Sequence, residues 1–308
     1  MPPSGGGPAG PQGPQRMGPP GPQGRGPSGG PAGGPRGAAA PPKLPIAGVK
    51  YLVAVASGKG GVGKTTVAVN LAIALNRMGA RVGLLDADVY GPNVPLMLGT
   101  EEEPRATSER TILPVDAYGL KIISMGLLSP GDKPIIWRGP MLHSVMQQFL
   151  RSVEWGELDY LVLDLPPGTG DIQLTLIQTV PLSGAVVVTT PSVVALADVR
   201  KAIEMFRQVN VEVLGVVENM SSFICPHCNE HVDVFGHGEG KKTADAFGVP
   251  LLGEIEIDPR IRIGGDTGKP VASLGENAPE AKSIYAMARA VMARLDEAGA
   301  SAPSVEIL

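Results

Sequence analysis

Short runs of apolar and β-branched residues recur along the chain from Tyr51 onward, and polar residues do not alternate with them. A run that is apolar throughout predicts a strand buried on both faces, which is typical of a parallel sheet covered by helices. The runs that predict strands lie at 51–56, 82–88, 120–125, 160–165, 185–190 and 213–219. The stretches that predict helices between them lie at 64–78, 140–153, 171–180 and 194–208. This order of elements predicts an α/β domain with a doubly wound, mostly parallel sheet.

A last helix is predicted near the end of the chain by apolar residues at helical spacing. The opposite face lacks the dense lysine and arginine of a membrane-surface helix, so we expect the stripe to pack on the sheet. The stripe consists of Ile284, Met287, Ala288, Val291, Met292 and Leu295. We therefore expect one domain over residues 46–298 and a short C-terminal tail over 299–308.

The first 45 residues differ in composition from the rest of the chain. They contain 14 of the 42 glycines and 14 of the 31 prolines, in GPxG-like units whose register breaks at Arg16 and again after Gly24. Two or three triplets are too few for a collagen-like triple helix. Residues 1–45 are therefore predicted to be a disordered Gly/Pro-rich tail.

The net charge of the predicted domain argues against nucleic-acid binding. The tail carries four basic residues and no acid, so the net charge of −4 leaves −8 on residues 46–308. An acidic domain with only 4% aromatic residues argues against binding to nucleic acid, which requires clustered cations and stacking side chains. No apolar run approaches the roughly 18 residues that a membrane-spanning helix needs, and no secretory signal is recognisable at the start. We expect a cytoplasmic protein that binds neither nucleic acid nor membrane.

A phosphate-binding loop follows the first predicted strand. The run SGKGGVGKTT at 57–66 contains the pattern GxxxxGK(S/T) between a strand and a helix, which is the context that the motif requires. Its glycines allow backbone N–H groups to approach phosphates, and the helix N-terminus adds partial positive charge. We expect Lys64 to reach the β- and γ-phosphates and the Thr65 hydroxyl to bind Mg²⁺. The predicted nucleotide-binding residues of this loop are Gly58, Lys59, Gly60, Gly61, Val62, Gly63, Lys64, Thr65 and Thr66.

Lys59 is a second lysine that one nucleotide site does not need, and its side chain could complete the site of a neighbouring chain. The run SGKGGVGKTT resembles the deviant phosphate loop of dimeric ATPases that include MinD/ParA-type proteins and the nitrogenase iron protein. The resemblance implies that Lys59 contacts the nucleotide bound to a second copy. It therefore implies a homodimer.

Three aspartates stand at the ends of predicted strands. Asp86 and Asp88 follow the second strand, and Asp164 ends the run YLVLD. Carboxylates at this edge of an α/β sheet can hold hydrated Mg²⁺ or orient an attacking water. Each acid alone is as often a cap or turn residue, but their joint position beside a phosphate loop favours nucleotide hydrolysis.

Six motifs, taken in order, resemble the Mrp/ApbC family of P-loop ATPases that carry iron–sulfur clusters, over about residues 46–295. They are SGKGGVGKTT, DADVYGPNVP, LVLDLPPGTGD, GVVENMS, CPHC and IDPRIRIGGDTGKPV. The resemblance implies that Asp88 positions water and senses the γ-phosphate, while Asp86 is an outer-sphere partner of Mg²⁺. It also implies that Asp164 is the Walker B acid and that Asn219 recognises adenine. Lys59, Lys64 and Asp88 are then the predicted catalytic residues of an ATPase.

Cys225 and Cys228, in the run CPHC, are the only cysteines of the chain. Two cysteines cannot form a disulfide framework. A 4Fe-4S cluster is usually held by four thiolates. Two chains that each contribute one cysteine pair at a twofold axis would supply these four. This arrangement agrees with the dimer that Lys59 implies.

Zinc is the main alternative for this motif. Cys225, Cys228, His231 and His237 could supply two sulfur and two nitrogen ligands within one chain. A thiol–disulfide redox pair is a further alternative, although no thioredoxin-like context precedes it. The residues alone do not separate the cluster from zinc, and the family resemblance favours the cluster.

These observations predict an ATP-dependent carrier that holds a labile 4Fe-4S cluster at a homodimer interface. It would receive the cluster from a scaffold protein and pass it to apoproteins. The alternatives are a MinD/ParA-type positioning ATPase, which would need a basic patch or an amphipathic anchor, and an ATPase with a structural zinc loop. An electron-transfer reductase like the nitrogenase iron protein would have its cysteines far apart in sequence.

Overall fold

A computed structural model describes residues 44–89, 91–108, 111–128 and 139–301. Residues 1–43 of the predicted tail 1–45 and residues 302–308 of the predicted tail 299–308 lie outside these ranges, whereas residues 299–301 belong to the last helix. At the start of the described chain, the Arg151 guanidinium donates hydrogen bonds to the carbonyl groups of Leu44 and Pro45 at 2.8 Å each. Ile46 is buried. The fold therefore holds the chain from Leu44 onward.

Nine strands of the described chain form one sheet. They are β1 (Val49–Ser57), β2 (Val82–Asp86), β5 (Val115–Ala117), β6 (Leu120–Ser124), β7 (Leu158–Asp164), β8 (Gly184–Thr189), β9 (Val213–Ile224), β10 (His231–Val232) and β11 (Leu251–Ile257). A separate antiparallel pair consists of β3 (Arg105–Ala106) and β4 (Ile112–Leu113).

The described helices connect these strands and cover both faces of the sheet. They are α1 (Lys64–Arg77), α2 (Val94–Leu98), α3 (Gly139–Arg151), α4 (Asp171–Thr179), α5 (Val193–Gln208), α6 (Glu239–Phe247), α7 (Pro259–Asp266) and α8 (Lys282–Ser301). Short 3-10 turns lie at Met125–Leu128, Val271–Leu274 and Pro279–Ala281. None of the helices within the described ranges is long and apolar enough to cross a membrane.

The sheet is mostly parallel. Its strand order is β10-β9-β8-β1-β7-β2-β6-β5, and β11 pairs with β9. Only the pairs β5/β6 and β9/β10 are antiparallel. The doubly wound α/β prediction is confirmed.

Alternate residues of the central strands pack into two separate hydrophobic cores, one on each face of the sheet. In β1, Val53 and Val55 pack with residues of α1 and α8, whereas Ala54 and Ala56 pack with residues of α3, α4 and α5. Burial on both faces explains why the strand sequences are apolar throughout. The predicted stripe of the last helix is confirmed, with Met292 only partly buried and the other five residues fully buried.

The predicted strands and helices are all present, and most ends differ by one or two residues. The exception is β9, which was predicted to end at Asn219 and continues to Ile224. Its residue Phe223 pairs with Ile257 on β11 and also with Val232 on β10, so these two strands lie on opposite sides of it. Because β8 pairs with β9 only as far as Glu218, β10 occupies the side of β9 beyond the end of β8.

Candidate active site

The loop between β1 and α1 has the backbone geometry of an anion cradle. Gly61 and Gly63 have positive φ angles of 79° and 81°. A Cβ at Gly63 would lie 2.2 Å from Nδ2 of Asn219, so glycine is required there for both conformation and space. Helix α1 begins directly after Gly63 and receives no side-chain cap from the described residues. Its first N–H groups are therefore available to an anion.

Two contacts hold the first half of the loop. A Cβ at Gly58 would lie 2.2 Å from the carbonyl oxygen of Asp198, so glycine lets helix α5 approach the loop. The Ser57 hydroxyl donates to the carbonyl of Lys59 at 2.9 Å. Lys59 itself is partly exposed, and no carboxylate among the described residues lies within ion-pair distance of its ammonium group. Val62 is buried beneath the loop.

Lys64 lies at the centre of a buried polar cluster. Its Nζ is 2.6 Å from Oδ1 of Asp164 and 3.6 Å from Oδ2 of Asp88. It also donates to the Thr65 hydroxyl oxygen at 3.3 Å. The predicted phosphate lysine, the predicted Mg²⁺-binding hydroxyl and two predicted acids are thus in direct contact.

Sheet register brings the third acid to the same place. Asp86 on β2 pairs directly with Asp164 on the neighbouring strand β7. It is fully buried, and it accepts hydrogen bonds from the Ser124 hydroxyl at 2.8 Å and the Asp88 backbone N–H at 3.1 Å. Burial, followed by the negative charge of Asp164, raises the pKa of Asp86 to about 7. Burial also raises the pKa of Asp164, although the Lys64 ammonium acts in the opposite direction.

The cluster has an excess of acid over base and an unsatisfied oxygen. Three aspartates surround one lysine, and Oδ2 of Asp164 is buried without a hydrogen-bond partner among the described residues. Buried carboxylate oxygens normally have a partner, so this atom points to an additional ligand such as a hydrated cation. The donor set of hydroxyl and carboxylate oxygens suits Mg²⁺.

A cavity of about 1110 Å³ opens above the loop. The predicted residues that line it are Lys59, Gly60, Gly61, Gly63, Lys64, Thr65, Thr66, Asp88 and Asn219. Gly58, Val62, Asp86 and Asp164 do not line it and lie in the supporting layer. The Asn219 amide donates to the carbonyl of Val62 at 2.9 Å, which fixes this side chain against the phosphate loop.

Sequence reasoning missed several residues of the cavity wall. They are Ser57, Gly91, Asn93, Leu96, Met97, Pro167, Met220, Phe223, Val234, Phe235, Glu256, Ile257, Asp258, Ile261, Arg262, Gly265 and Asp266. One local signal was available, since Asp258 precedes Pro259 and caps α7 by accepting from the Arg260 N–H. This pattern predicts a helix that starts at the edge of the sheet. The aromatic and aliphatic residues carried no comparable signal.

The cysteine loop, which we define as residues 225–238 between β9 and α6, contains the CPHC motif. Cys228 is exposed and Cys225 is half-buried. The backbone N–H of Cys225 donates to the carbonyl of Glu230, and that of Asn229 donates to the carbonyl of Cys225. Hydrogen bonds from the backbone N–H groups of Cys228 and His227 lower the pKa of the Cys225 thiol. The loop therefore presents two accessible sulfurs, one of them favoured as thiolate.

The histidines of this loop form a group of their own. The rings of His231 and His237 lie 6.5 Å apart, and their Nδ1 atoms are 3.5 and 3.9 Å from Oδ1 of Asp233. Across the ranges that the structure describes, no three side chains of histidine, cysteine, aspartate or glutamate are arranged to hold a metal ion. The four zinc ligands considered from the sequence are therefore not brought together. His143 lies on α3, outside the side chains that the structure describes.

Comparisons with known proteins agree with this geometry. Residues 48–292 match the ParA family profile described as NUBPL iron-transfer P-loop NTPase. An iron-sulfur cluster carrier protein of Aquifex aeolicus is 54% identical over 247 residues, which cover 79% of this chain and 68% of the relative. A nucleotide-binding protein of Archaeoglobus fulgidus, solved in complex with ADP, is 37% identical with a TM-score of 0.68, covering 78% of this chain and 93% of that one. The cell division ATPase MinD of Pyrococcus furiosus has the same fold at 23% identity, with a TM-score of 0.60 and coverages of 79% and 98%.

Proposed function

This chain belongs to the NUBPL iron-transfer P-loop NTPase family, and on that basis we propose that it is an ATP-dependent carrier of a 4Fe-4S cluster. Membership confirms the family resemblance of the motifs and makes the chain a nucleotide-binding P-loop NTPase. The proposal adds the identity of the nucleotide, the cluster type and its position between two chains.

The main support for this proposal is the accessible cysteine pair, which lies in the same loop as the cavity-lining residues Val234 and Phe235. Cys225 and Cys228 are both reachable from solvent, and one chain offers only two thiolates. A 4Fe-4S cargo held by four thiolates therefore requires the pairs of two chains. A site at the surface, shared between subunits, suits a cluster that must be released.

The nucleotide site assigns a role to each predicted residue. We assign the triphosphate to the backbone N–H groups from Gly60 to Thr66. The Lys64 ammonium group would leave Asp164 and bind the β- and γ-phosphates instead. Asp88 lines the cavity and lies beside Lys64, which suits a carboxylate that orients the attacking water.

Mg²⁺ fits the donor set of Thr65, Asp164 and Asp86. When bound, it would neutralise charge that develops on the phosphates during hydrolysis. The buried Oδ2 of Asp164 has no hydrogen-bond partner among the described residues. The pKa of Asp86 is raised by burial and then by the negative charge of Asp164, and a cation would offset that charge. Thr65 would contribute its hydroxyl oxygen.

Lys59 provides the link between nucleotide and dimer in this proposal. Its position on the cavity rim, without an ion-pair partner among the described residues, suits contact with the nucleotide of a second copy. The Asn219 carbonyl oxygen is assigned to the amino group of adenine, because its amide nitrogen already donates to Val62. We place the protein in the cytoplasm, with a scaffold protein as cluster donor and apoproteins as recipients.

Cluster transfer tests the carrier function directly. The protein is reconstituted anaerobically with ferrous iron and sulfide, freed of excess reagents, and mixed with the apo form of an enzyme that needs a 4Fe-4S cluster. We expect faster recovery of enzyme activity than with equal concentrations of free iron and sulfide, and resistance of the recovery to an added iron chelator. Recovery no faster than with the free ions would contradict the carrier function. The variant Cys228→Ala, treated identically, is the matched control.

A further inference from the structure

We infer that Phe235 and Val234 of the cysteine loop form the wall against which the nucleobase packs, so that bound nucleotide changes the accessibility of Cys225 and Cys228. The inference deepens the proposed function and rests on it for the identity of the ligand. The starting observation is that the cavity above the phosphate loop is lined by both of these residues.

The phosphate end of the cavity is formed by the glycine-rich loop, and the rest of its lining is mixed. Its charged members are Glu256, Asp258, Arg262 and Asp266, and its apolar wall includes Met220, Phe223, Val234, Phe235, Ile257 and Ile261. The phosphates require the N–H groups of the loop, so the uncharged base is the part of the nucleotide that matches the apolar wall. Aromatic side chains stack favourably on any base.

The two residues have apolar surface still exposed. Phe235 is 48% exposed and Val234 is 51% exposed, although both line a cavity. Large apolar side chains that remain exposed beside a binding site are typical of contacts completed by a ligand. A nucleobase placed between Asn219 and Phe235 would cover them.

The backbone connects this wall to the cysteines. His231 and Val232 pair with Ile224 and Phe223, so β10 is hydrogen-bonded to the end of β9. Only Asp233 separates β10 from Val234 in the chain. The turn that contains both cysteines is closed by the hydrogen bond from the Cys225 N–H to the carbonyl of Glu230, directly before β10. A displacement of residues 234–235 is therefore transmitted to the cysteine turn through a two-residue strand.

The other end of the loop is fixed and offers hinges. The buried carboxylate of Glu218 on β9 accepts a hydrogen bond from the backbone N–H of Gly240, which fixes the start of α6. Between Phe235 and this anchor, Gly236 and Gly238 have positive φ angles of 98° and 72°. Glycines in this region can absorb a change of backbone direction at low cost. Residues 234–235 can therefore move relative to the fixed start of α6 when the base binds, and β10 moves with them.

Coupling of this kind is reciprocal, because a change in one binding free energy requires the same change in the other. The test uses reduced protein without iron or sulfide, which separates it from cluster binding. Two quantities are measured with Mg²⁺ and ADP as the probe: the dissociation constant of ADP, and the rate at which a chromogenic disulfide reagent modifies the thiols with and without saturating ADP.

For the wild type we expect ADP to slow thiol modification by about fivefold, the lower end of ordinary coupling between sites. Phe235→Ala should weaken ADP binding by about tenfold and remove the protection of the thiols by saturating ADP. Phe235→Leu should restore part of both effects. Leu274→Ala is the control, since Leu274 is an exposed apolar residue that lies outside the cysteine loop and does not line the cavity.

Three outcomes would overturn the inference. Wild-type affinity for ADP in a folded Phe235→Ala protein would show that the wall does not contact the nucleotide. Equal thiol rates with and without ADP in the wild type would show that the two sites are not coupled. Equal losses in Phe235→Ala and Leu274→Ala would show a general effect of truncating an exposed apolar side chain. A wild type that binds no ADP would instead refute the proposed nucleotide site itself.

Discussion

The ammonium group of Lys64 lies 2.6 Å from Oδ1 of Asp164, and both side chains are almost completely buried. The lysine assigned to the phosphates is therefore paired with a carboxylate of its own chain. Nucleotide binding must replace this pairing by a phosphate contact for Lys64 and a new partner for Asp164. This exchange leads to the first prediction.

Lys64→Ala should abolish nucleotide binding and also lower the free energy of unfolding by about 3 kcal/mol, because it leaves the buried Asp164 unpaired. The double variant Lys64→Ala with Asp164→Asn should regain stability without regaining nucleotide binding. Urea denaturation and equilibrium binding measure the two effects. Lys59→Ala is the control for stability and should change it by less than about 0.5 kcal/mol. Full stability of Lys64→Ala would contradict the structural role of the pair.

Asp88→Asn should slow ATP hydrolysis by about 10²-fold while ATP still binds, because the amide keeps the size of the side chain but loses the carboxylate that orients water. Steady-state turnover and ATP affinity separate the two effects. Asp116→Asn, an exposed aspartate on β5 away from the cavity lining, should leave both unchanged. Normal turnover of Asp88→Asn would move the role to another acid of the cluster.

Lys59→Ala should reduce hydrolysis more than ATP binding if Lys59 acts on the nucleotide of the second chain. Mixing Lys59→Ala subunits with Asp88→Asn subunits places both functional residues in one of the two composite sites. The mixed population should recover activity that neither variant has alone. If no activity returns on mixing, Lys59 acts within its own chain.

The carboxyl group of Glu218 gives a pH-dependent prediction. Burial raises the pKa of Glu218, helped by Glu254 on the neighbouring strand and opposed by the Gly240 and Gly238 backbone N–H groups and by His237. A raised pKa means that the protonated form is favoured in the folded state. The stability that this group contributes is therefore complete below its unfolded pKa, near 4.5, and is lost as pH rises through the folded pKa.

Glu218→Gln keeps a neutral side chain at every pH. As pH rises from 5 to 8, the unfolding free energy of the wild type should therefore fall relative to that of the variant. Urea denaturation across this range measures the difference. A difference that stays constant with pH would show that Glu218 does not titrate abnormally. Glu204→Gln, at an exposed position of α5, is the matched control and should change the unfolding free energy by less than about 0.5 kcal/mol across this range.

The nucleotide site could be predicted from sequence because its residues follow local rules. The phosphate loop is one continuous motif, and Asp86 and Asp164 each end a run of apolar residues. Parallel strands end at the same edge of a sheet, so their proximity followed from the fold class. The structure adds that Asp86 and Asp164 pair directly across neighbouring strands. It also shows that Asp86 contacts Ser124 and that Asp164 contacts Lys64.

The wall formed by Phe235 could not be predicted in the same way. It depends on β10, a strand of two residues that carries no periodicity, folding back on the part of β9 beyond Asn219. Strand β11 was also missed, because its sequence LLGEIEI alternates, as a partly exposed edge strand does, and lacks a continuous apolar run. The pairing of β11 with β9 joins segments far apart in the chain, and local patterns do not encode such a pairing.

The central claim is that two chains share one 4Fe-4S cluster through Cys225 and Cys228. Anaerobic reconstitution followed by iron and acid-labile sulfide analysis, together with the mass of the particle, tests it most directly. We predict about four iron and four sulfide per two chains, and loss of both in Cys225→Ala and in Cys228→Ala, with little change in His231→Ala or His237→Ala. One tightly bound zinc per chain, with no sulfide and with strong losses in the histidine variants, would contradict the claim.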